Sequence, residues 1–125
     1  ASDGYSMSYD PQYTKTNPHP RSFATFPQFL QTVRERDLMP LEDAVYKITA
    51  LPASVLGISD RGILREGLVA DLTVFDPEKV ASRSTYMDPK VRPEGIPYVI
   101  VNGQLALRDG RLTEKREGTV LLRSV

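Results

Sequence analysis

The sequence predicts a mixed α and β chain in three parts: an irregular polar start, a helical middle and a small antiparallel β unit at the end. Prolines crowd the first forty residues, and no apolar period runs through that stretch. Phe26, Phe29, Leu30 and Val33 then recur at i, i+3, i+4 and i+7, and Leu41, Ala44, Val45 and Ile48 repeat the pattern, which is the stripe of an amphipathic helix. Near the end, Asn102-Gly103 separates two apolar runs, the sequence signature of a tight hairpin.

Bulk properties narrow the function classes. The 125 residues amount to one domain or a piece of a larger one. Sixteen Lys and Arg balance sixteen Asp and Glu, which argues against a nucleic-acid binder and against a polybasic membrane anchor. No apolar run approaches the length of a membrane span. The chain has no Cys, so disulfides, thiolate metal sites and thiol nucleophiles are excluded within it. Its single His, His19, excludes a self-contained His-based metal cluster. The chain starts Ala1-Ser2-Asp3, with neither Met nor a signal-peptide pattern; processing or a fragment would each account for that, and the motifs below favour a fragment.

Residues 1–25 read as irregular. Tyr5, Tyr9 and Tyr13 are spaced for one helix face, yet Gly4, Pro11, Pro18 and Pro20 punctuate them, and a residue before Pro is pushed towards extended geometry. Aromatic surface of that size is expected to find something to pack on. The first helix is expected from about Thr25, with Thr25 and Gln28 as a weak capping box. A second follows Pro40, its N-terminal end loaded with Glu42 and Asp43 against the helix dipole. Pro52 is expected to break it, leaving a short turn of helix, Ala53 to Leu56, that stops at Gly57.

From Gly62 the pattern turns extended. Leu72 to Phe75 is a strand candidate closed by Asp76-Pro77, and Pro97 to Val101 leads through Asn102-Gly103 into Gln104 to Leu107. Asp109-Gly110 repeats the turn chemistry, and Gly118 to Leu122 is expected to form a last strand. The alternating charges from Arg108 to Glu117 read as a solvated turn and strand edge. A hairpin with two or three short strands is marginal alone, so the β unit is expected to complete a sheet whose other strands lie elsewhere.

By residue type alone the chemistry is sparse. Ser2-Asp3-Gly4 is an ordinary turn tripeptide. His19, between two prolines, reads as a loop residue. Arg21 suits a nearby carboxylate as well as a substrate anion, and Glu42 and Asp43 serve the helix dipole better than acid–base work. The tyrosines of the start either line a pocket or simply pack.

The order of motifs narrows this. Ser2-Asp3-Gly4, His19-Pro20-Arg21, Thr25-Phe26-Pro27 and Leu41-Glu42-Asp43-Ala44-Val45 are followed by Thr49, Pro52-Ala53, Leu56-Gly57, Asp60-Arg61-Gly62 and Gly67. Ala70-Asp71-Leu72, Phe75-Asp76-Pro77, Ala81, Thr85-Tyr86, Asp88-Pro89 and Val101-Asn102-Gly103 complete the series. Together they resemble the C-terminal portion of the N-acyl-D-amino-acid deacylases, the D-aminoacylase branch of the metal-dependent amidohydrolases. Gly67-x-x-Ala70-Asp71-Leu72 is shared across amidohydrolases at large, whereas the opening Ser-Asp-Gly with the later His-Pro-Arg points to this branch.

The resemblance implies an α/β fold: the end of the last strand of a (β/α)₈ barrel with its following helices over residues 1–61, then the C-terminal share of a flanking β-sandwich over 62–125. A whole barrel takes about 250 residues, so the rest lies outside this chain. It further implies a cytoplasmic, zinc-dependent hydrolase acting on small N-acyl-D-amino acids, with the remainder of the same enzyme as partner and no nucleic acid or membrane. Asp3 then matches the general acid/base at the mouth of the eighth strand, and Arg21 matches the residue that binds the substrate's α-carboxylate, for which a planar two-pronged cation is suited. His19 and Gly4 are expected to shape the loop. The metal ligands are expected in the missing part, with none in this chain, which alone should not turn over substrate.

Two departures stand out: Ala24 where the family often has Gly, and Gln28 where a basic residue is common. Neither is expected to touch the chemistry. Two alternatives stay open on sequence: an amidohydrolase of hydantoinase or dihydroorotase type acting on cyclic amides, for which Arg21 would have no free carboxylate, and a non-enzymatic β interaction module.

Overall fold

A computed structural model describes residues 2–122; Ala1, where the chain begins, and residues 123–125, at the end of the expected sandwich portion, lie outside the described residues. Two units interleave along the sequence. One takes the residues up to Leu41 with Asp76–Gly95, the other Glu42–Phe75 with the residues from Ile96 onward.

The first unit is built on helix α1, Arg21–Arg36. It begins several residues earlier than its apolar stripe indicates. Pro20 already has helical angles (φ −51°, ψ −27°), and its carbonyl accepts the amides of Phe23 and Ala24. The expected capping box is therefore absent: Thr25 lies inside the helix, and its hydroxyl donates back to the Arg21 carbonyl at 2.9 Å. The buried positions are Ala24, Leu30 and Val33, while Phe26 is exposed, so the stripe is rotated from the one the sequence pattern indicated. The helix closes at Asp37, left-handed at φ 47°, where the Leu38 amide donates to the Val33 carbonyl.

Side chains of α1 hold the Asp76–Gly95 stretch. Arg34 Nη1 donates to the carbonyls of Pro77 at 2.8 Å and Val80 at 2.9 Å, and Gln31 Oε1 accepts the Ser82 amide at 3.0 Å. Val80, Ala81 and Pro89 are buried there. The irregular start is fixed in the same manner. Thr14 is buried, its hydroxyl accepts the Ser8 amide, and Lys90 Nζ donates to its carbonyl. Tyr9 packs on Phe23, with ring centroids 4.8 Å apart, and lies under the Arg92 guanidinium at 4.7 Å. Burial raises the Tyr9 hydroxyl's pKa, and Arg92 opposes that rise. Tyr5 and Tyr13, expected to pack, are mostly exposed instead.

Helix α2 (Leu41–Ile48), in the second unit from Glu42 onward, carries Glu42 and Asp43 in its first turn, as its sequence indicates, and buries Ala44 completely. Leu41, expected in the buried stripe, is exposed. The helix ends at Ile48, and α3 runs Ala50–Leu56, starting three residues earlier than expected. Pro52 explains both facts. A continuous helix would set its ring against the Ile48 carbonyl, whereas in the first turn of a new helix its missing N–H costs nothing. Gly57 caps α3 in the left-handed region.

The sheet is a four-stranded antiparallel meander, β1 (Leu72–Val74), β2 (Tyr98–Val101), β3 (Gln104–Arg108) and β4 (Arg111–Leu112). Both hairpin turns place a non-Gly residue then a Gly at positive φ: Asn102 and Gly103 at 49° and 77°, Asp109 and Gly110 at 49° and 73°. That is the twist-matched two-residue turn, which those residue pairs tolerate best. The β2–β3 register slips by one, with Val99 opposite Leu107 and Ile100 opposite Leu105, so Ala106 bulges. Thr113 meets the bulge, its hydroxyl donating to the Leu105 carbonyl and its amide to that of Ala106. Asp71 ties the sheet edge together, accepting the Asn102 amide at 2.7 Å and Arg61 Nη1 at 2.6 Å.

The strand expected over Gly118–Leu122 does not form among the described residues. β4 is an edge strand of two residues, and Val120 and Leu122 are almost fully exposed; without a ladder partner an apolar run gains nothing by extending.

Candidate active site

The four residues singled out by sequence converge at the start of α1. Asp3 sits at φ 51°, an uncommon conformation for a residue other than Gly. The next residue explains why Gly follows it: a Cβ on Gly4 would stand 3.0 Å from Ser22 Cα and 3.1 Å from the Arg21 carbonyl oxygen. A side chain there would press on the backbone of the first turn of α1, which would have to give way by a few tenths of an ångström. Asp3 is thereby delivered to Arg21, whose Nη1 lies 3.0 Å from Oδ2. Both side chains reach solvent, Asp3 at 86 % and Arg21 at 45 % of full exposure, and an ion pair that open is weak and readily exchanged for another anion.

His19 acts on the same turn. The first amides of a helix have no partner within it. The Arg21 amide finds one in His19 Nδ1 at 3.1 Å, so the imidazole does the capping that no Ser, Thr or Asp does here. Its other nitrogen, Nε2, is 3.1 Å from the Tyr86 hydroxyl, and the rings meet edge to face with centroids 5.0 Å apart. Tyr86 is the residue that reading the sequence overlooked. Its only trace there was the Thr85-Tyr86 match, which carries no spacing signal.

A groove of about 390 Å³ opens beside these groups, lined by His19, Arg21, Ala24, Gln28, Phe29 and Ser84 among others. Ala24 and Gln28, expected to lie away from the chemistry, both line it. Seven residues bring a helix round to the same face, so Arg21 and Gln28 share one side of α1. Another hollow, of about 740 Å³ between Ser54–Asp60 and Leu121–Leu122, is the larger of the two but holds none of the candidate residues.

Glu42 and Asp43 stay at the start of α2 as dipole partners and do not join the candidate group. Among the described residues no three His, Cys, Asp or Glu gather as a metal site would need, and the one carboxylate of the candidate group is held by Arg21. Chemically the arrangement offers one exposed carboxylate, one solvent-reaching guanidinium beside it, and a groove beside them.

Comparison with known proteins adds a second line of observation. The model of the Amidohydrolase family matches residues 3–106. An N-acyl-D-aspartate deacylase of Alcaligenes xylosoxydans xylosoxydans is 41 % identical over 121 residues, 96 % of this chain and 23 % of that protein. A D-aminoacylase mutant solved in complex with copper chloride is 44 % identical with a TM-score of 0.82, over 86 % of this chain and 23 % of the other. An N-acyl-D-glutamate deacylase from Bordetella bronchiseptica, solved with zinc and a phosphonate mimic of the tetrahedral intermediate, is 46 % identical with a TM-score of 0.70, over 77 % and 21 %. The chain thus spans less than a quarter of the length of each of these relatives.

Proposed function

Because this chain belongs to the amidohydrolase family, we propose that it is the C-terminal part of a zinc-dependent enzyme that deacylates N-acyl-D-amino acids to a D-amino acid and a carboxylate. The observation that carries the reading is the meeting of Asp3 and Arg21 at the first turn of α1. The names of the relatives support the substrate class.

In this reading residues 1–61 finish the catalytic barrel and 62–125 give the C-terminal share of a β-sandwich. The sheet's exposed apolar side chains, Val74 and Leu105 on one face, support a covering layer supplied by the rest of the enzyme.

Arg21 receives the substrate's α-carboxylate in place of Asp3, through paired N–H donors that stay charged at any working pH. Asp3, released from that pair, takes a proton from the attacking water and returns one to the departing amine. Amide cleavage needs both transfers, and a carboxylate can perform each in turn. A divalent zinc, when bound, acidifies water and polarises the scissile carbonyl. Among the described residues no metal site forms, so its ligands are assigned to the remainder of the enzyme.

Assay of the complete enzyme on N-acetyl-D-amino acids, their L-forms, and cyclic amides without a free carboxylate tests the reading. D-selective release of free amine is expected. Turnover of the cyclic amides alone, or no preference for the D-forms, overturns it.

A further inference from the structure

We propose that Tyr86 is a positioning residue for substrate binding, acting through His19 on Arg21; the inference rests on the deacylase reading given above. Three contacts run in series. The Arg21 amide donates to His19 Nδ1 at 3.1 Å, which leaves Nε2 as the protonated nitrogen. Nε2 in turn faces the Tyr86 hydroxyl at 3.1 Å, and the edge-to-face packing of the two rings fixes the plane of the imidazole. The Arg21 side chain then lies 3.0 Å from Asp3.

Tyr86 is itself braced. The Thr85 amide donates to the Asp88 carbonyl and the Asp88 amide to the Thr85 hydroxyl, both at 3.0 Å, so the turn that carries Tyr86 is closed on itself. Pro89, fully buried, pins the turn's far end. An exposed tyrosine on a loose loop could not orient anything, whereas this turn can hold its hydroxyl in place. The consequence is a defined first turn of α1: His19 is held in one tautomer, its Nδ1 holds the Arg21 amide, and the guanidinium starts from a fixed backbone when the substrate's carboxylate arrives. Tyr86 touches neither substrate nor the reacting atoms.

The test uses the complete enzyme. Tyr86→Phe keeps the ring contact and removes the hydroxyl; it is expected to raise KM for N-acyl-D-amino acids about three- to tenfold and to move kcat much less. The penalty should vanish for the corresponding methyl ester, which lacks the carboxylate, and on an Arg21→Ala background. His19→Asn, whose side-chain oxygen replaces Nδ1 but which has no Nε2 for Tyr86, should recover only part of the loss that His19→Ala brings, and His19→Gln should not. Nitrogen-15 NMR of the imidazole should show Nε2 protonated in the wild type and a shifted Nε2 resonance in Tyr86→Phe, where its hydroxyl partner is gone. A protonated Nδ1 in the wild type, an unchanged KM, or an equal penalty on the ester overturns the proposal. Failure of the deacylase reading would show separately, as a wild type without D-selective turnover, and the NMR result would still decide the His19 relay.

Discussion

The two units of the chain have divided regular structure and burial between them in opposite ways. Among the described residues, the unit with Asp3 and Arg21 is built on helix α1 and otherwise largely irregular chain, yet it holds nearly all of the buried side chains, including Ala24, Leu30, Val33, Val80 and Ala81. The other has two helices and a four-stranded sheet, yet Ala44 is its one fully buried hydrophobic among the described residues. Backbone hydrogen bonding and local turns are enough to write the sheet, but they do not give it a core. Conversely, the irregular unit is held by long-reaching side chains that satisfy backbone groups no helix or strand would satisfy. A region with little secondary structure of its own can thus be the more tightly specified of the two.

Removing one of those two groups tests this at its strongest. Asp3→Asn keeps the shape and the positive φ but cannot carry the proton, and kcat of the complete enzyme is expected to fall about 10²- to 10⁴-fold with KM little changed. A variant with near-normal kcat would mean that the irregular start is scaffolding and that its strained conformation serves no proton transfer. Arg21→Ala comes next. It should raise KM for carboxylate substrates by about one to two orders of magnitude, and Arg21→Lys should restore only part, because an ammonium cannot match a carboxylate with two parallel donors.

The middle of the scale compares the two modes of cohesion directly. Arg34→Ala removes two hydrogen bonds from a charged donor and leaves the Val80 carbonyl of a buried residue without its partner. A loss of about 2 kcal/mol in the local stability of that stretch is expected, read as faster hydrogen exchange at the Val80 and Ser82 amides. Arg36→Ala, exposed two residues further on, should leave them unchanged. In the other unit, Asp71→Ala releases the Asn102 amide and Arg61, but the hairpin keeps its own turn and ladder. Exchange at the Asn102 amide should quicken by a factor corresponding to about 1 kcal/mol, with the β2–β3 register intact. A register slip in Asp71→Ala would show that the local code is insufficient.

That asymmetry also sets what the sequence could reveal. Asn102-Gly103 and Asp109-Gly110 write their turns because the required backbone angles belong to those residue types, and Gly57 marks a helix end for the same reason. Pro52 signalled an interruption, but not that it would fall at Thr49, since the clash acts four residues upstream. The start of α1 was misplaced because its cap is an imidazole preceding a proline, outside the usual capping residues. Asp3 and Arg21 were picked out through family resemblance, and their contact bridges an irregular stretch that no periodicity spans. Tyr86, 67 residues from His19, is a long-range partner of that kind, and local pattern does not report it.

The smallest effect expected is electrostatic, at the turn that α1 holds. Hydrogen bonding from Lys79 Nζ, with the ammonium 3.2 Å from Oδ2, keeps the Asp76 carboxyl below the usual carboxylate range, helped by the Glu78 amide at 3.0 Å. The folded turn therefore favours the ionised form more than the unfolded chain does. Its contribution is complete above the unfolded value, about pH 4, and disappears as pH falls through the lower folded value. Lys79→Gln removes the charged donor, so the carboxyl-carbon NMR titration of Asp76 should move up towards about 4, and the protection of the Val80 amide should begin to fail at a higher pH than in the wild type. Because the group is open to water, the shift should shrink as salt is added, while the Arg34 bonds to the same turn should be far less sensitive. A midpoint already at or above about 4 in the wild type would remove Asp76 from the set of contacts that fix this unit and leave Arg34 and Gln31 as the anchors of that turn.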